Sequence, residues 1–193
     1  MLEIKHMQSP IGNHRPLEKV QLEEKLFAWR CPESGGHWIP AESYWKWRGS
    51  LPPAEERDLA DPAACPISGY DDLVKFCPES GTLMSRYRVG HGLPFRVDRS
   101  NTGGIWLDGG EWEILKSGNL HQAIHLIFTS PWQQAIRDQE HDACYQTQLV
   151  QRLGEDLYRR IDALREELAG HPNQAMALAY LNAISSPQGR RSN

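Results

Sequence analysis

Three short segments of the sequence share the pattern Cys-Pro-x-Ser-Gly, and their residue types and spacing are close to those of a metal-binding turn. The three segments begin at Cys31, Cys65 and Cys77. In a zinc knuckle, two cysteines separated by two residues bind the metal from a tight turn, and a following glycine lets the chain reverse. Here serine replaces the second cysteine each time, and a neutral hydroxyl is a poor zinc ligand. We therefore expect the turns to form without the metal.

A repeat relates two parts of the N-terminal region. The segment Gly35-Gly36-His37-Trp38 recurs as Gly103-Gly104-Ile105-Trp106. A repeat of this kind indicates two copies of one supersecondary unit, so we interpret residues 9–47 as a diverged copy of residues 77–115. We expect the four glycines to adopt backbone conformations that other residues avoid. The same offset relates two further pairs, Ser9 with Cys77 and Phe27 with Phe95.

The second copy resembles the TFIIB-type transcription-factor zinc-finger family. Members of that family read C-P-x-C-G and, after a hairpin, C-P-x-C-G-G-I-W-L-D-x-G-E. This chain has Cys-Pro-Glu-Ser-Gly from Cys77 and Gly-Gly-Ile-Trp-Leu-Asp-Gly-Gly-Glu from Gly103. The resemblance implies a zinc-ribbon fold with a binding role. The matching motif residues are Cys77, Gly103, Gly104, Trp106, Asp108 and Glu111.

The zinc ligands that this resemblance implies are mostly replaced. The second copy keeps Cys77 and has Ser80, Arg99 and Thr102 at the other ligand positions. We therefore expect no cofactor, with zinc as the one metal that the resemblance would suggest. A site shared by all four cysteines is a further hypothesis, although one cysteine per knuckle is unusual for zinc. The first copy has Ser9, Gly12, Cys31 and Ser34 at the four positions, and the remaining cysteine is Cys144.

Candidate catalytic groups are few. We interpret Asp108 as the cap of a short helix that begins near Gly109, with Glu111 in its first turn. His121 and His125 share one face of an expected helix, but the residue after His121 is a glutamine, which cannot act as the general base of a metalloprotease. The sequence has no phosphate-binding loop and no nucleophile elbow. We therefore expect no enzymatic activity, and a histidine-dependent hydrolase is the third hypothesis.

A basic and aromatic stripe runs through residues 86–99, where Arg86, Arg88 and Arg96 alternate with Tyr87 and Phe95. Such a hairpin can hold phosphates and stack bases. However, the whole chain has 21 Lys and Arg against 25 Asp and Glu, a net charge of −4, which argues against a broad nucleic-acid surface. Nucleic-acid binding through this hairpin is therefore the alternative prediction.

Composition indicates a globular protein of the cytoplasm. Hydrophobic residues make up 39% and charged residues 24% of the 193 residues, which is typical of a globular chain. No apolar run is long enough to cross a membrane, and the first ten residues lack a secretory pattern. Without a secretory context, four cysteines favour free thiols over disulfides. We expect a cytoplasmic protein that is not inserted in a membrane.

The order of turn-rich segments and helical periodicity along the chain predicts an α+β fold. Two small degenerate ribbon modules, each a β-hairpin with a short helix, precede a helical region in which Leu153, Leu157, Ile161, Leu164 and Leu168 form one stripe. Ser130 and Pro131 mark a helix start. The expected segments are 1–50 and 73–118 for the ribbons, 51–72 for a Pro-rich linker, 119–185 for the helical region and 186–193 for a flexible tail.

The seven tryptophans are expected to supply core area that small modules otherwise lack. Trp45 or Trp47, if exposed beside the first ribbon, would anchor a partner. Together with the acidic charge and the missing catalytic motifs, this predicts a protein-binding adaptor with an assembly or regulatory role. The alternative is a transcription factor that binds nucleic acid. The candidate partner-binding residues are Trp45, Trp47, Arg86, Arg88 and Arg96.

Overall fold

The computed structural model describes residues 7–52 and 68–183. Cys65, residues 53–67 of the expected linker and the expected tail lie outside the described residues. The fold is α+β, as the sequence predicts, with one antiparallel six-stranded sheet followed by helices. The chain forms two compact units, one up to Arg137 and one from Asp138 onward. The boundary between them therefore lies within the expected helical region.

The two sequence copies have the same order of elements, a hairpin followed by a short strand and a helix, as the repeat predicts. The first copy contains β1 (Glu18–Glu23), β2 (Leu26–Arg30), β3 (His37–Ile39) and α1 (Ala41–Ser50). The second contains β4 (Ser85–Gly90), β5 (Leu93–Arg99), β6 (Ile105–Leu107) and α2 (Glu111–Ser117).

The two copies join edge to edge into a single sheet. Its strand order is β1-β2-β3-β6-β5-β4, so the short strands β3 and β6 form the centre. They are antiparallel, and Trp38 pairs with Trp106 in the middle of their register. The strand order is therefore mirrored about this pair, which gives the sheet an approximate twofold symmetry.

The register of the sheet corrects one detail of the repeat. In the first copy Trp29 pairs with Trp38, and in the second Asp98 pairs with Trp106. The counterpart of Trp29 is therefore Asp98, one residue further along than the constant sequence offset gives. The turn between β2 and β3 contains one residue more than the turn between β5 and β6. Accordingly, the N–H of Gly35 bonds to the carbonyl four residues back, whereas that of Gly103 bonds to the carbonyl three residues back.

This shift changes two expected equivalences. Phe27 does not match Phe95, because Phe27 is exposed whereas Phe95 is buried; Leu26, also buried, is the counterpart of Phe95. The third ligand position of the second copy is Ser100 and not Arg99, since the Ser100 N–H bonds to a glycine carbonyl as the Cys31 N–H does. The gap of one residue is invisible in the sequence because the two copies share so few residues.

The sheet is buried on both faces at its centre. Successive side chains of a strand point to opposite faces, so Ile105 and Leu107 join one core cluster while Trp106 joins the other. The first cluster also holds Trp47 of α1 and Trp112 of α2. The second cluster contains residues of both knuckle regions: Ile11, Leu17, Cys31, Trp38, Cys77, Met84 and Trp106.

The helices after the sheet begin with a 3-10 turn (His121–Ala123) and α3 (Ile124–Ile127). They continue with α4 (Ser130–Leu153), α5 (Glu155–Leu168) and α6 (Gln174–Ala183). The apolar stripe expected on one helix is divided, because Gly154 has a φ of +79° and separates α4 from α5. Within the described ranges, no helix combines the length and the apolar character needed to cross a membrane.

Candidate functional site

The first knuckle region, formed by Ser9, Cys31 and Ser34, is held together by hydrogen bonds. The backbone N–H of Ser34 donates to Sγ of Cys31 at 3.5 Å, and the N–H of Gly36 donates to the Ser34 hydroxyl at 3.2 Å. Burial on its own would raise the pKa of the Cys31 thiol, but hydrogen bonds from Ser34 and Ser9 outweigh it, and the pKa is lowered. Ser9, Cys31 and Ser34, which the resemblance places at ligand positions, therefore lie close together.

The second knuckle region has the same design. The N–H of Ser80 donates to Sγ of Cys77 at 3.4 Å. Burial again acts to raise the pKa of the thiol, and hydrogen bonds from Ser100 and Ser80 lower it overall. The hydroxyl of Thr102 lies 3.1 Å from that of Ser100. Each region thus brings one thiol together with hydroxyl groups.

These two regions do not fit zinc. Structural zinc sites use four Cys or His ligands, and each region offers a single thiol whose neighbours are hydroxyls engaged with the protein. Cys31 and Cys77 belong to separate regions, each with its own hydroxyl partners. Cys144 is an exposed free thiol on α4, and Cys65 lies outside the described residues. The hypothesis of one site shared by four cysteines therefore gains no support from the described residues.

Two of the four repeated glycines are explained by backbone conformation and two by packing. Gly35 and Gly103 have φ values of +73° and +86°, the left-handed region that favours glycine, as expected. Gly36 and Gly104 do not have positive φ, so the expectation is wrong for them. A Cβ on Gly36 would overlap the indole of Trp106, and a Cβ on Gly104 would overlap the indole of Trp38. Each copy therefore makes room for the tryptophan of the other.

A buried ion-pair cluster joins Lys75, just before the second copy, to Asp98 and Asp108 within it. Nζ of Lys75 is 2.8 Å from Oδ2 of Asp98 and 3.2 Å from Oδ2 of Asp108, and all three side chains are buried. Burial acts to lower the pKa of Lys75, but the charges of Asp108 and Asp98 raise it overall. Burial also raises the pKa of Asp98 to about 6, an effect that Lys75 only partly offsets.

Asp108 does not cap α2, contrary to the expectation. The residue before α2 is Gly110, and no side chain caps the helix there. The Asp108 carboxylate instead accepts hydrogen bonds from Nε1 of Trp106 at 2.7 Å and from Lys75. Glu111, at the start of α2, reaches back and accepts the backbone N–H of Asp108 at 2.7 Å. The two carboxylates therefore fix the turn between β6 and α2.

The buried carboxyl group of Glu111 has a strongly raised pKa. Desolvation raises its pKa to about 9, and the nearby Asp108 charge acts in the same direction. Its Oε1 atom has no hydrogen-bond partner among the described residues. Burial of Glu111 therefore favours its neutral form, which limits the negative charge that the cluster has to accommodate.

Asp71 completes the group of buried carboxylates and accounts for two of the arginines of the basic stripe. Its carboxylate accepts the backbone N–H of Arg96 at 2.8 Å and Nη1 of Arg96 at 3.1 Å. Nη1 of Arg86 donates to the backbone carbonyl of Asp71 at 3.0 Å. Arg86 and Arg96 therefore hold the segment before Cys77 in place, and both guanidinium groups already have hydrogen-bond partners within the protein.

Three carboxyl groups lie close enough together to be a candidate cation site. Among the described residues, Asp71, Asp108 and Glu111 each place an oxygen within 4.8 Å of the other two. Oxygen ligands suit a hard divalent cation rather than zinc bound by thiolates. The protein already supplies its own cations here, because Arg96 bonds to Asp71 and Lys75 to Asp108. The geometry is thus that of an internally neutralised cluster.

The first copy has apolar residues where the second has this cluster. Met7 occupies the position of Lys75, since each accepts the N–H of the residue that precedes its hairpin. Trp29 occupies the position of Asp98, and Pro40 follows β3 as Asp108 follows β6. Met7 and Trp29 pack on the second core cluster. The ribbon fold therefore forms without the charges, which are a special feature of the second copy.

The tryptophans of α1 have opposite environments. Trp47 is 1% exposed and packs edge-on against Trp112, so it belongs to the core and the prediction that it contacts a partner is wrong. Trp45 is 52% exposed, with its ring centroid 5.1 Å from that of His125 and 5.3 Å from that of Tyr44. Trp45 therefore satisfies the condition set for an anchor at the surface.

The two histidines expected to share a helix face serve different partners. His121 lies in the 3-10 turn, is buried between Trp47 and Trp112, and has Nε2 3.7 Å from a carboxylate oxygen of Glu23. His125 lies in α3, where its Nδ1 is 2.8 Å from the Tyr44 hydroxyl. Burial lowers the pKa of both histidines. The two side chains therefore contact different residues.

Sequence reasoning missed Lys75 and Asp98 altogether. Lys75 is separated by 23 positions from Asp98 and by 33 from Asp108, and nothing local marks the three as partners. A lysine two residues before a knuckle cysteine is normally exposed. An available signal was that Asp98 stands in a largely buried strand of the second copy where the first copy has Trp29. This equivalence is seen only with the corrected register.

No family model, no curated protein and no solved structure matches the chain.

Proposed function

We propose that this protein is a non-enzymatic protein-binding adaptor with an assembly or regulatory role. In this proposal the double ribbon is a rigid platform, and the exposed indole of Trp45 is the anchor for a partner protein. The observation that carries the proposal is the exposure of Trp45 against a fixed aromatic support.

The support makes Trp45 a pre-organised contact. The Tyr44 hydroxyl lies 2.8 Å from Nδ1 of His125, and the backbone N–H of His125 donates to the same hydroxyl at 3.3 Å. Tyr44 itself is buried. Since α1 and α3 are tied together at this point, the two rings against which Trp45 lies are held in place. An aromatic anchor of this kind costs about 2 kcal/mol or more of binding free energy when cut to alanine.

The surface around the anchor is suited to a protein rather than to a phosphate backbone. Leu126, next to His125 in the chain, is 42% exposed, and burial together with the Arg48 charge lowers the pKa of His125, which favours its neutral form. Protein interfaces are enriched in aromatic residues at their centres and have few charges there. Trp45 and His125, whose rings are in contact, supply such a centre, which we call the Trp45 patch.

The alternative function, binding of nucleic acid as a transcription factor, rests on Arg86, Arg88 and Arg96. Two of these arginines hold Asp71, as described above, and the chain is acidic overall. Both observations favour the adaptor. We also propose the cytoplasm as the location, because Cys31, Cys77 and Cys144 are free thiols, which suits a reducing compartment.

The test is quantitative capture with the intact chain, with and without nuclease. The native chain should capture a partner protein. This protein should be lost with Trp45→Ala and retained with Phe27→Ala, which removes another exposed aromatic side chain, on the sheet. Titration against random DNA and RNA at two salt concentrations tests the alternative. Tight binding that falls steeply with salt and is abolished by Arg88→Ala would favour nucleic acid instead.

A further inference from the structure

The helix α5 presents an apolar stripe to solvent. Leu157, Ile161 and Leu164 are 44%, 46% and 38% exposed. They lie on one side of the helix, while the ion pairs Arg159–Glu155 and Arg165–Asp162 lie among the polar positions. A helix of 14 residues is only marginally stable in water without tertiary contacts. The stripe therefore has the character of a contact surface.

The spacing of the stripe is that of a helix-pairing seam. Leu157, Ile161, Leu164 and Leu168 follow each other at four, three and four residues, which matches alternating d and a positions of two heptads. In that register Arg160 and Glu167 occupy g positions, and Arg165 occupies an e position. These flanking charges decide which orientation of two helices is favourable.

Pairing of α5 with a second copy of itself is favourable in one orientation only. In a parallel pair, Arg160 of one helix would face Arg165 of the other, and like charges repel. In an antiparallel pair, g positions face g positions, so Arg160 faces Glu167 twice by symmetry. Ile161 then lies opposite Leu164 in the central layers. Neither Arg160 nor Glu167 forms an ion pair with another described residue, so both are available.

We propose that two copies of this chain associate through an antiparallel pairing of their α5 helices. The seam is continued at its end by α6, where Leu168 meets Met176, Ala177 and Tyr180 around an apolar hollow of about 350 Å³. Further apolar residues of α6 are exposed in the same unit: Met176, Leu178, Tyr180 and Leu181. The inference is independent of the Trp45 patch and of the adaptor role.

The first test is the mass of the full chain in solution by analytical ultracentrifugation from about 1 to 200 µM. Two short helices form a contact at the small end of stable interfaces, so we expect a dimer with a dissociation constant on the order of micromolar. Ile161→Asp should give a monomer. Ala163→Asp, which adds the same charge on the polar side of α5, should leave the dimer intact. A monomer throughout this range would overturn the proposal.

The second test uses surface charges, which do not endanger folding. Arg160→Glu alone and Glu167→Arg alone should each weaken the dimer by about 3- to 10-fold, since each change places like charges opposite each other twice. The double variant should restore the original dissociation constant. Tighter association of Arg160→Glu would indicate the parallel orientation and contradict the proposal, as would a double variant as weak as the single ones.

Discussion

The indole of Trp38 packs directly on the backbone of Gly104, and no room remains there for a Cβ atom. By the approximate symmetry of the sheet, Trp106 packs in the same way on Gly36. These two contacts add side-chain packing between the copies to the pairing of the short strands β3 and β6. Gly36 and Gly104 are thus part of the interface between the two copies.

This packing predicts that neither Gly36 nor Gly104 tolerates alanine. Each substitution forces a methyl group into a buried indole, and overpacking of this kind costs about 1–3 kcal/mol in the free energy of unfolding. Urea denaturation of the purified chain measures the change. Gly69→Ala is the control, because a Cβ there meets nothing within 4 Å and the backbone is not left-handed. Equal stability of all three variants would contradict the packing.

Lys75→Met should destabilise the protein by about 3–5 kcal/mol, because it leaves Asp98 and Asp108 buried without a cation. Adding Asp98→Leu should recover part of the loss, since the first copy is apolar at the equivalent positions Met7 and Trp29. Chemical denaturation of the single and double variants checks this. A double variant less stable than Lys75→Met would show that the first copy is a poor guide to the second.

The stability of the protein should fall between about pH 4.5 and pH 9 through Glu111. Its pKa is raised by burial to about 9 in the folded chain from an ordinary value of 4.5, so the folded state holds the proton longer than the unfolded state. The stabilisation is complete below the unfolded pKa and is lost as pH rises through the folded one. Asp98, with its pKa raised to about 6, acts in the same direction over a narrower range.

The contribution of Glu111 is isolated by comparison of variants across that pH range. In Glu111→Gln the free energy of unfolding should depend less on pH between 5 and 9 than in the native chain. Glu18→Gln, at an exposed strand position, should leave the profile unchanged. Denaturant titrations at several pH values provide the measurement, and identical profiles for all three proteins would contradict the assignment.

The purified protein should contain much less than one zinc per chain. Each knuckle region has a single thiol, and its serine and threonine neighbours are hydrogen-bonded within the protein. Elemental analysis measures the metal, and circular dichroism with and without a chelator measures its effect on the fold. One tightly held zinc, or loss of structure on chelation, would contradict the account of both regions.

The local features of this fold are predictable from sequence, and the long-range contacts are not. The knuckle turns, the hairpins and the helix start at Ser130 follow from turn residues and periodicity, which act between neighbours. The pairing of Trp38 with Gly104 and of Lys75 with Asp108 depends on how two distant segments meet. One additional residue between β2 and β3 was enough to make the constant sequence offset pair Phe27 with Phe95, which are not equivalent in the fold. The exposure of Trp45 against the burial of Trp47 depends on which side of α1 packs on the sheet.

The measurement that addresses the proposed function most directly is site-specific photo-crosslinking in cells. A benzophenone amino acid replaces Trp45 in one variant and Phe27 in the other, and ultraviolet light then links it to whatever lies within reach. The adaptor account predicts a protein adduct from position 45 and none from position 27. An adduct to nucleic acid, equal adducts from both positions, or no adduct from position 45 would contradict it.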